Sequence, residues 1–330
     1  MSAATLTRIP TRATRKWVKV LTGIGTRILS AVAVLLSAAT LVFLAQTLLP
    51  GDRATIILNI NSGQVMERTP EELAPINEEF GFDNPLIVQY LDYIGGLLRG
   101  DLGISFQQFS PVTQVIGEQL LPSVQLAFGA LLLSWIIMIV SVLLSAGRPR
   151  LLREISSAFE ALSASLPVYW LGVLLLVVFA VQLQWFPVMG GANLASAILP
   201  IVTLSIPLAG FMAQTCRDEF ERILRQPFAT AVRMRGVSDL SLRLKHVLRH
   251  ALIPPITLSG WAIGALFSGT VIIESVFSRP GVGQVLVNAV GARDVPVVAG
   301  VVMLIALIYV VANVVVDIFY ALVDPRRRAS

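Results

Sequence analysis

The sequence predicts an all-α integral membrane protein with six transmembrane helices, an extracytoplasmic helical insertion after the first helix and a cytoplasmic loop between the fourth and the fifth. Hydrophobic residues make up 55% of the 330 residues and charged residues only 14%. Soluble domains carry about 25% charged residues. Uncharged runs long enough for helices of about 20 residues recur along the chain, and the distribution of Lys and Arg around them predicts the orientation.

The predicted membrane helices lie in five uncharged runs: 28–51, 119–147, 161–217 (exclusive of Arg217), 250–273 and 295–316. The third run is long enough for two helices and is interrupted near 182–193 by Gln, Trp, Pro, Gly and Asn, so the total is six. The first run is too long for the apolar core of a secretory signal peptide and has no convincing cleavage site behind it. We therefore expect an uncleaved first helix at 28–49.

This count divides the chain into a tail, a first helix, an outer insertion, a five-helix core and a second tail. The ranges are 1–27, 28–49, 50–119, 120–322 with the loop 217–253 inside it, and 323–330. With both termini on one face, 20 of the 25 Lys and Arg fall on that face. The positive-inside rule makes this face cytoplasmic, and the same rule accounts for the basic loop without a nucleic-acid partner.

The insertion 50–119 contains two helix starts. Thr69-Pro70-Glu71-Glu72 combines a cap, a proline at the first helical position and a capping box, and Gly81 is placed to end that helix. A second helix is predicted after Asp83-Asn84-Pro85 and weakens at Gly95-Gly96. Asp52 and the turn 100–105 are predicted structural caps of this insertion. Two such helices are too small for an independent core and predict a cap on the membrane domain.

Inside the loop 217–253, apolar residues follow the spacing of one helical face. They are Leu240, Leu244, Val247, Leu248 and Ala251. The pattern predicts a short helix that lies along the membrane or against a partner.

Several kinds of chemistry find no support in the sequence. The single cysteine, Cys216, excludes an internal disulfide and is predicted to be a small buried residue. His246 and His250 stand four apart, but no acidic or Cys ligand lies beside them, so we predict no metal site. No Gly-Lys pair occurs, and hence no phosphate-binding loop of the G-x-x-x-x-G-K-[ST] type. We predict that the chain is not an enzyme and binds no cofactor of its own.

The stretch Phe228–Pro254 resembles the coupling loop of permease subunits of ABC importers, in the oligopeptide/dipeptide (peptide/nickel) family. Thr230, Ala231 and Val232 take the places of the family's Glu-Ala-Ala triplet, and Gly236 takes the place of its glycine. Similar signatures run through nearly the whole chain. They are Leu49-Pro50-Gly51-Asp52, Gly81-Phe82-Asp83-Asn84-Pro85, Gly100-Asp101-Leu102-Gly103-Ile104-Ser105, Glu274–Gly283, Arg293-Asp294 and Asp324-Pro325-Arg326.

The resemblance implies a permease subunit of a binding-protein-dependent importer in the bacterial inner membrane. It implies a second related permease, one or two ABC ATPase subunits that bind ATP and Mg, and an extracytoplasmic substrate-binding protein as partners. Solute would be a peptide or a related small molecule such as a metal chelate, a glycoside or an opine. The ATPase-coupling residues it implies are Thr230, Ala231, Val232, Arg233, Arg235 and Gly236.

Two other functions stay open at this point. An ion-gradient-driven secondary transporter would need ionisable residues in its spans, and Asp317 and Glu274 are the candidates. A non-transporting membrane scaffold is the other. Asn313 and Asp317 lie four apart on the last helix, and with Glu274 they are the predicted residues of a translocation pathway or of an interface with a second permease.

Overall fold

The structure is a computed structural model that describes residues 12–48, 51–188, 191 and 193–323, without the side chains of residues 12–24, 61 and 317–323. Within these residues the regular structure is helical, apart from one isolated antiparallel bridge between Ile104 and Pro111. Five helices contain apolar stretches long enough to cross a membrane: Gly25–Leu48, Val112–Ser145, Leu194–Leu224, Ile253–Val276 and Val295–Val316. The all-α prediction and the apolar spans are confirmed.

The first membrane helix, α1 (Arg12–Leu48), is longer than the predicted 28–49. It already includes residues 12–27, so this part of the predicted N-terminal tail is helical, and residues 1–11 lie outside the described residues. Leu49 and Pro50 of the predicted signature also lie outside them.

Residues 51–111 form a cap of three short helices, whereas the sequence analysis expected two. The additional helix is α2 (Arg53–Ser62), which begins where the side chain of Asp52 accepts a hydrogen bond from the Thr55 amide over 2.9 Å. It ends at Gly63, which has a left-handed backbone conformation (φ 67°). Glycine adopts this conformation readily because it has no β-carbon. Asp52 is therefore the cap that the sequence predicted, but of a helix that was missed.

The other two cap helices begin where the sequence predicted. Helix α3 (Pro70–Phe80) starts with the predicted capping box of Thr69 and Glu72 and ends at Gly81, which has φ 64°. Helix α4 (Leu86–Leu98) continues through the glycines that were expected to weaken it. The cap joins the first membrane helix through a 2.8 Å hydrogen bond between the hydroxyls of Thr40 and Tyr90.

The second membrane helix, α5 (Val112–Ser145), is followed by a bent pair of helices. Helix α6 (Arg150–Ser165) meets α7 (Val168–Leu175) at 104°, and α7 continues as a π-helix over Leu176–Gln182. The sequence analysis placed a single span from residue 161 and did not predict the helix before it. If the bent pair counts as one span, the described residues contain six candidate spans.

The predicted interruption near 182–193 separates this pair from α8 (Leu194–Leu224), which Asn193 caps by accepting from the Ser196 amide over 2.8 Å. The remaining helices are α9 (Pro227–Met234), α10 (Asp239–Ser241), a π-helical turn (Leu242–Val247), α11 (Leu248–Ala251), α12 (Ile253–Val276), α13 (Val282–Gly291) and α14 (Val295–Val323). Residues 324–330 lie outside the description.

The main core lies between α5, α8 and α12 and includes the fully buried Leu126, Met138, Met212 and Phe220. Cys216 is also fully buried there, as predicted, and its Sγ lies 3.5 Å from the carbonyl oxygen of Ala251. A second apolar cluster joins the first turns of α5 to α13 and α14 near the cap. Buried polar contacts lie beside these clusters near both ends of the membrane helices.

Helix α6 packs on α8 through Gly210. A β-carbon there would lie 2.9 Å from the backbone oxygen of Glu160 and 2.8 Å from Cβ of Ser163. We expect Gly210→Val to lower the free energy of unfolding by about 1–3 kcal/mol, because overpacking a fixed helix contact forces backbone shifts. Gly117→Val is the matched control, since nothing lies within 4 Å of a β-carbon at this helical glycine. Thermal unfolding in detergent measures both, and equal melting of the two variants would contradict the packing described.

Candidate functional site

The membrane helices have two ends, which we name by what they carry. The cap side carries residues 51–111. The loop side carries residues 225–252, which we call the loop-side segment. This segment contains two short helical pieces, α9 and the continuous run from α10 through the π-helical turn to α11. They are joined by a turn at Gly236, whose φ of 79° is a left-handed conformation that glycine adopts without a steric penalty.

Helix α9 and the turn after it leave most of the predicted coupling residues exposed. Ala229 is fully buried, and Val232 packs against the main core. Thr230, Ala231, Arg233 and Arg235 are exposed, together with Met234, which is 84% exposed. The helix is therefore held by a few apolar contacts and leaves a mixed basic and apolar surface uncovered.

The predicted amphipathic face of the second helical piece is partly wrong. Val247, Leu248 and Ala251 are buried as expected, but Leu240 and Leu244 are 61% and 43% exposed. Leu242 is fully buried in their place. The reason is the π-helical turn, since hydrogen bonds from residue i to i+5 bring Leu242 and Val247, five apart, onto one face.

Arg243 fastens this piece to the membrane helices. Its side chain is only 4% exposed, and its Nη1 donates to the carbonyl oxygen of Ala146, just after α5, over 2.5 Å. Its Nε pairs with Asp239 over 2.8 Å, and its guanidinium lies 5.9 Å from the ring centroid of Phe220 on α8. The loop-side segment is thus tied to the ends of two spans before it enters a third, α12.

A buried ion pair lies at the base of the same region. Arg217 on α8 pairs with Glu160 on α6 over 2.6 Å, and Glu160 also accepts from Ser156 over 3.1 Å. Because both charges are shielded, removing either one would leave its partner uncompensated. The pair holds the bent helix pair against α8.

The two histidines of the segment are exposed, and the His250 ring lies 6.3 Å from that of Phe228. Within the described part of the chain, no group of three His, Cys, Asp or Glu side chains could hold a metal ion.

Glu274 lies on α12 near the cap side and is fully buried. Its carboxylate accepts from the Ser123 hydroxyl over 2.6 Å and from the amides of Gly283 and Gln284 over 2.7 and 3.2 Å. These amides open α13, so the carboxylate sits where a helix N-terminus favours negative charge. A β-carbon at Gly281 would overlap the Glu274 carboxylate, so the close packing at this position requires glycine. The structure therefore gives Glu274 a contact that ties α12 to α5 and α13.

Two more buried charges complete the cap side. Arg279 donates to Ser196 over 2.8 Å and to the carbonyl oxygen of Gly191 over 3.1 Å, and burial lowers the pKa of its guanidinium. Asp294 accepts from the Ser105 hydroxyl and from the Phe106 amide, the latter over 3.1 Å. The predicted closing motifs thus join the outer loops to one another and to the turn 100–105.

The two predicted residues on α14 are described unequally. Asn313 is half-buried, donates to the carbonyl oxygen of Tyr309 over 2.8 Å and lines a cavity of about 320 Å³ between α1 and α14. The side chain of Asp317 lies outside the described residues.

Comparison with known proteins places this arrangement in a family. Residues 137–329 match the family described as binding-protein-dependent transport system inner membrane component, and residues 20–127 match its N-terminal membrane component. The chain belongs to this family. It is therefore a permease of an ABC importer, as the sequence analysis predicted.

Curated relatives cover nearly the whole permease. It is 34% identical over 305 residues to the glutathione transport system permease protein GsiC of Salmonella typhimurium, covering 92% of this chain and 97% of the relative. It is 35% identical over 311 residues to a Brucella abortus protein named "Putative peptide transport system permease protein", with the same coverage. The comparisons support the permease prediction and not the ion-gradient-driven alternative. A system of this kind includes a substrate-binding protein and an ATPase as further components.

The main site residue that the sequence analysis missed is Arg243 of the permease. The apolar pattern of the loop assigns it no role, because it lies between the apolar positions Leu240 and Leu244. A signal was present, because Asp239 stands four residues before it, at the spacing of a helical ion pair. Its acceptor, the Ala146 carbonyl, could not be found from the sequence because it lies 97 residues away.

Replacing this residue tests how firmly the loop-side segment is held. We expect Arg243→Met to lower the free energy of unfolding by about 1–3 kcal/mol, because the buried Ala146 oxygen loses its donor. Chymotrypsin should then cut the loop-side segment faster. Arg249→Met is the control, since Arg249 is exposed. If Arg243→Met and Arg249→Met had the same melting temperature and the same rate of chymotrypsin cleavage, Arg243 would not be what holds the loop-side segment.

Proposed function

We propose that the loop-side segment is the surface through which this permease couples to a separate ATPase, and that the permease translocates peptides or a related small solute. The observation that carries the proposal is the combination of an exposed α9 face with the buried contact between Arg243 and the Ala146 carbonyl, which we call the Arg243 clamp. A surface that must transmit force needs a fixed connection to the moving helices. The clamp supplies it at the ends of α5 and α8, and the chain continues directly into α12.

The chemistry of the exposed face supports a protein contact at that surface. Ala231 is small, Met234 is a flexible apolar side chain, and Arg233 and Arg235 can pair with carboxylates. Exposed ion pairs contribute only about 0–1 kcal/mol each, so the arginines would adjust the contact and not create it. Burial of Met234 in a groove of the partner would supply the apolar part.

The partners follow from this arrangement. We propose that one related permease subunit completes the translocation pathway, that one or two ATPase subunits bind ATP and Mg beneath the loop side, and that a binding protein delivers solute at the cap side. This chain would then hold no cofactor and catalyse no hydrolysis. Asn313 and Asp317 on α14 are proposed to face the second permease or the pathway. The relatives named for glutathione and for peptides support a peptide-like solute.

The proposed orientation places the loop side and both termini in the cytoplasm of a bacterial cell, with six spans in the inner membrane. Its support is the charge distribution, because Arg53, Arg68, Arg99, Arg279 and Arg293 are the only Lys or Arg among the 25 that lie on the other face.

Thiol labelling tests this orientation. Val65 on the cap side is 97% exposed and Met234 on the loop side is 84% exposed. We expect a membrane-impermeant maleimide to label Val65→Cys in intact spheroplasts, and Met234→Cys only after lysis and removal of the proposed ATPase, which would cover position 234. Labelling in the opposite order would reverse the assignment.

The coupling assignment is tested at Gly236. The backbone is left-handed (φ 79°) and nothing lies within 4 Å of a β-carbon, so an arginine would project from the docking surface without a clash inside the chain. We expect Gly236→Arg to insert at normal abundance but to reduce peptide uptake to background. The strain of a left-handed non-glycine residue is roughly 1–2 kcal/mol, which a folded membrane protein can carry.

Gly100→Arg is the matched control for this experiment. Gly100 has the same left-handed backbone (φ 77°) and the same empty surroundings, but it lies on the cap side. Uptake of a defined peptide mixture, measured by mass spectrometry, should persist in Gly100→Arg. Normal uptake by Gly236→Arg would contradict the coupling assignment. Loss of uptake in both variants would show that backbone strain, and not the position of the arginine, causes the loss.

A further inference from the structure

A cavity of about 430 Å³ lies near the cap side, between α1, α2, α13 and α14. Nine of its lining residues are apolar: Val42, Ala45, Ile56, Ala289, Val290, Val295, Val298, Ala299 and Val302. Ala45 and Val290 are exposed, so the cavity reaches the surface of the membrane helices. It is separate from the loop-side segment and from the cavity beside Asn313.

The two polar residues that line this cavity are Gln46 and Arg293. Neither side chain makes a hydrogen bond or an ion pair with any residue in the described part of the chain. No Asp or Glu lines the cavity, so Arg293 is its single formal charge. Arg293 is an exposed residue of the lining. An apolar cavity with one unpaired, exposed cation at its edge favours a ligand that is apolar over most of its length and negative at one end.

The turn that carries Arg293 is held in place from its other side. Arg293 has φ 57°, a conformation that costs a non-glycine residue energy and persists only where neighbours impose it. The neighbour is Asp294, whose carboxylate accepts from the Phe106 and Gln107 amides over 3.1 and 3.3 Å and from the Ser105 hydroxyl. Because these contacts occupy the Asp294 carboxylate, it is not engaged with the Arg293 guanidinium.

The two polar residues also stand at the edge of the apolar layer. Gln46 lies two residues before the end of the span Gly25–Leu48, and Arg293 lies two residues before the start of the span Val295–Val316. Helices α1 and α14 pack together, so these positions share one end of the bundle. This is the depth at which the phosphate of a lipid meets its acyl chains.

We propose that this cavity binds an anionic phospholipid, with an acyl chain along the valine and alanine wall and the phosphate at Arg293. A free phosphate would satisfy the arginine but leave the apolar wall uncovered. A zwitterionic lipid would cover the wall, but its headgroup carries a positive charge beside the phosphate. The charge and the shape of the cavity together favour the anionic lipid.

The test is native mass spectrometry of the purified, delipidated transporter complex, titrated with phosphatidylglycerol or phosphatidylcholine of the same acyl chains. We expect phosphatidylglycerol to bind about fivefold more tightly, since one basic residue near the headgroups contributes about that factor. Arg293→Gln should abolish the preference and Arg293→Lys should keep it. Arg99→Gln, which removes an arginine from the same side away from the cavity, should leave it unchanged.

A second pair of variants tests the apolar wall. Ala45→Trp should fill the cavity and weaken retention of both lipids several-fold. Ala33→Trp, at an exposed position of the same helix outside the cavity, should not. Equal binding of the two lipids, an intact preference in Arg293→Gln, or full lipid retention in Ala45→Trp would each overturn the proposal. Displacement of phosphatidylglycerol by glycerol phosphate as readily as by lipid would reduce the site to a free-anion site and overturn it as well.

Discussion

The hydrogen bond from Arg243 to the Ala146 carbonyl is the contact on which the loop side depends. It joins a segment of short helices to the end of α5, and through Phe220 to α8, beside the apolar contacts that Leu242, Val247 and Ala251 make with the main core. A buried guanidinium is costly unless its donors are used, so the bond also fixes where the segment can sit. With the clamp in place, α9 becomes a surface rigidly connected to three spans.

The cap side is organised by the same physical rule with other residues. Glu274, Arg279 and Asp294 are each nearly or fully buried, and their hydrogen-bond partners are largely backbone groups. Each charged side chain therefore fixes the position of the loop to which it is hydrogen-bonded. Glu274 connects three helices and Asp294 connects α14 to the cap. The membrane helices are thus tied at both ends by charges, while the middle is held by the apolar core between α5, α8 and α12.

Local signals in the sequence predicted the features that depend on local chemistry. The capping box at Thr69, the helix end at Gly81 and the break before Asn193 all follow from a few neighbouring residues. The helix α2 was missed although its Asp52 cap was recognised, because its apolar residues show no clear periodicity. The Ala146 acceptor of Arg243 and the Ser123 donor to Glu274 could not be predicted, because they lie 97 and 151 residues away along the chain. The π-helical turn was missed because its spacing departs from the α-helical period on which the prediction relied.

The central claim is that α9 touches an ATPase, and photo-crosslinking tests it most directly. A benzophenone amino acid at Met234, compared with the same residue at Val65 on the opposite side, would be activated in native membranes and the adducts identified by mass spectrometry. The account predicts an ATPase subunit joined to position 234 and none joined to position 65. An intact transporter complex that yields no ATPase adduct at position 234, or that yields one at position 65, would contradict it.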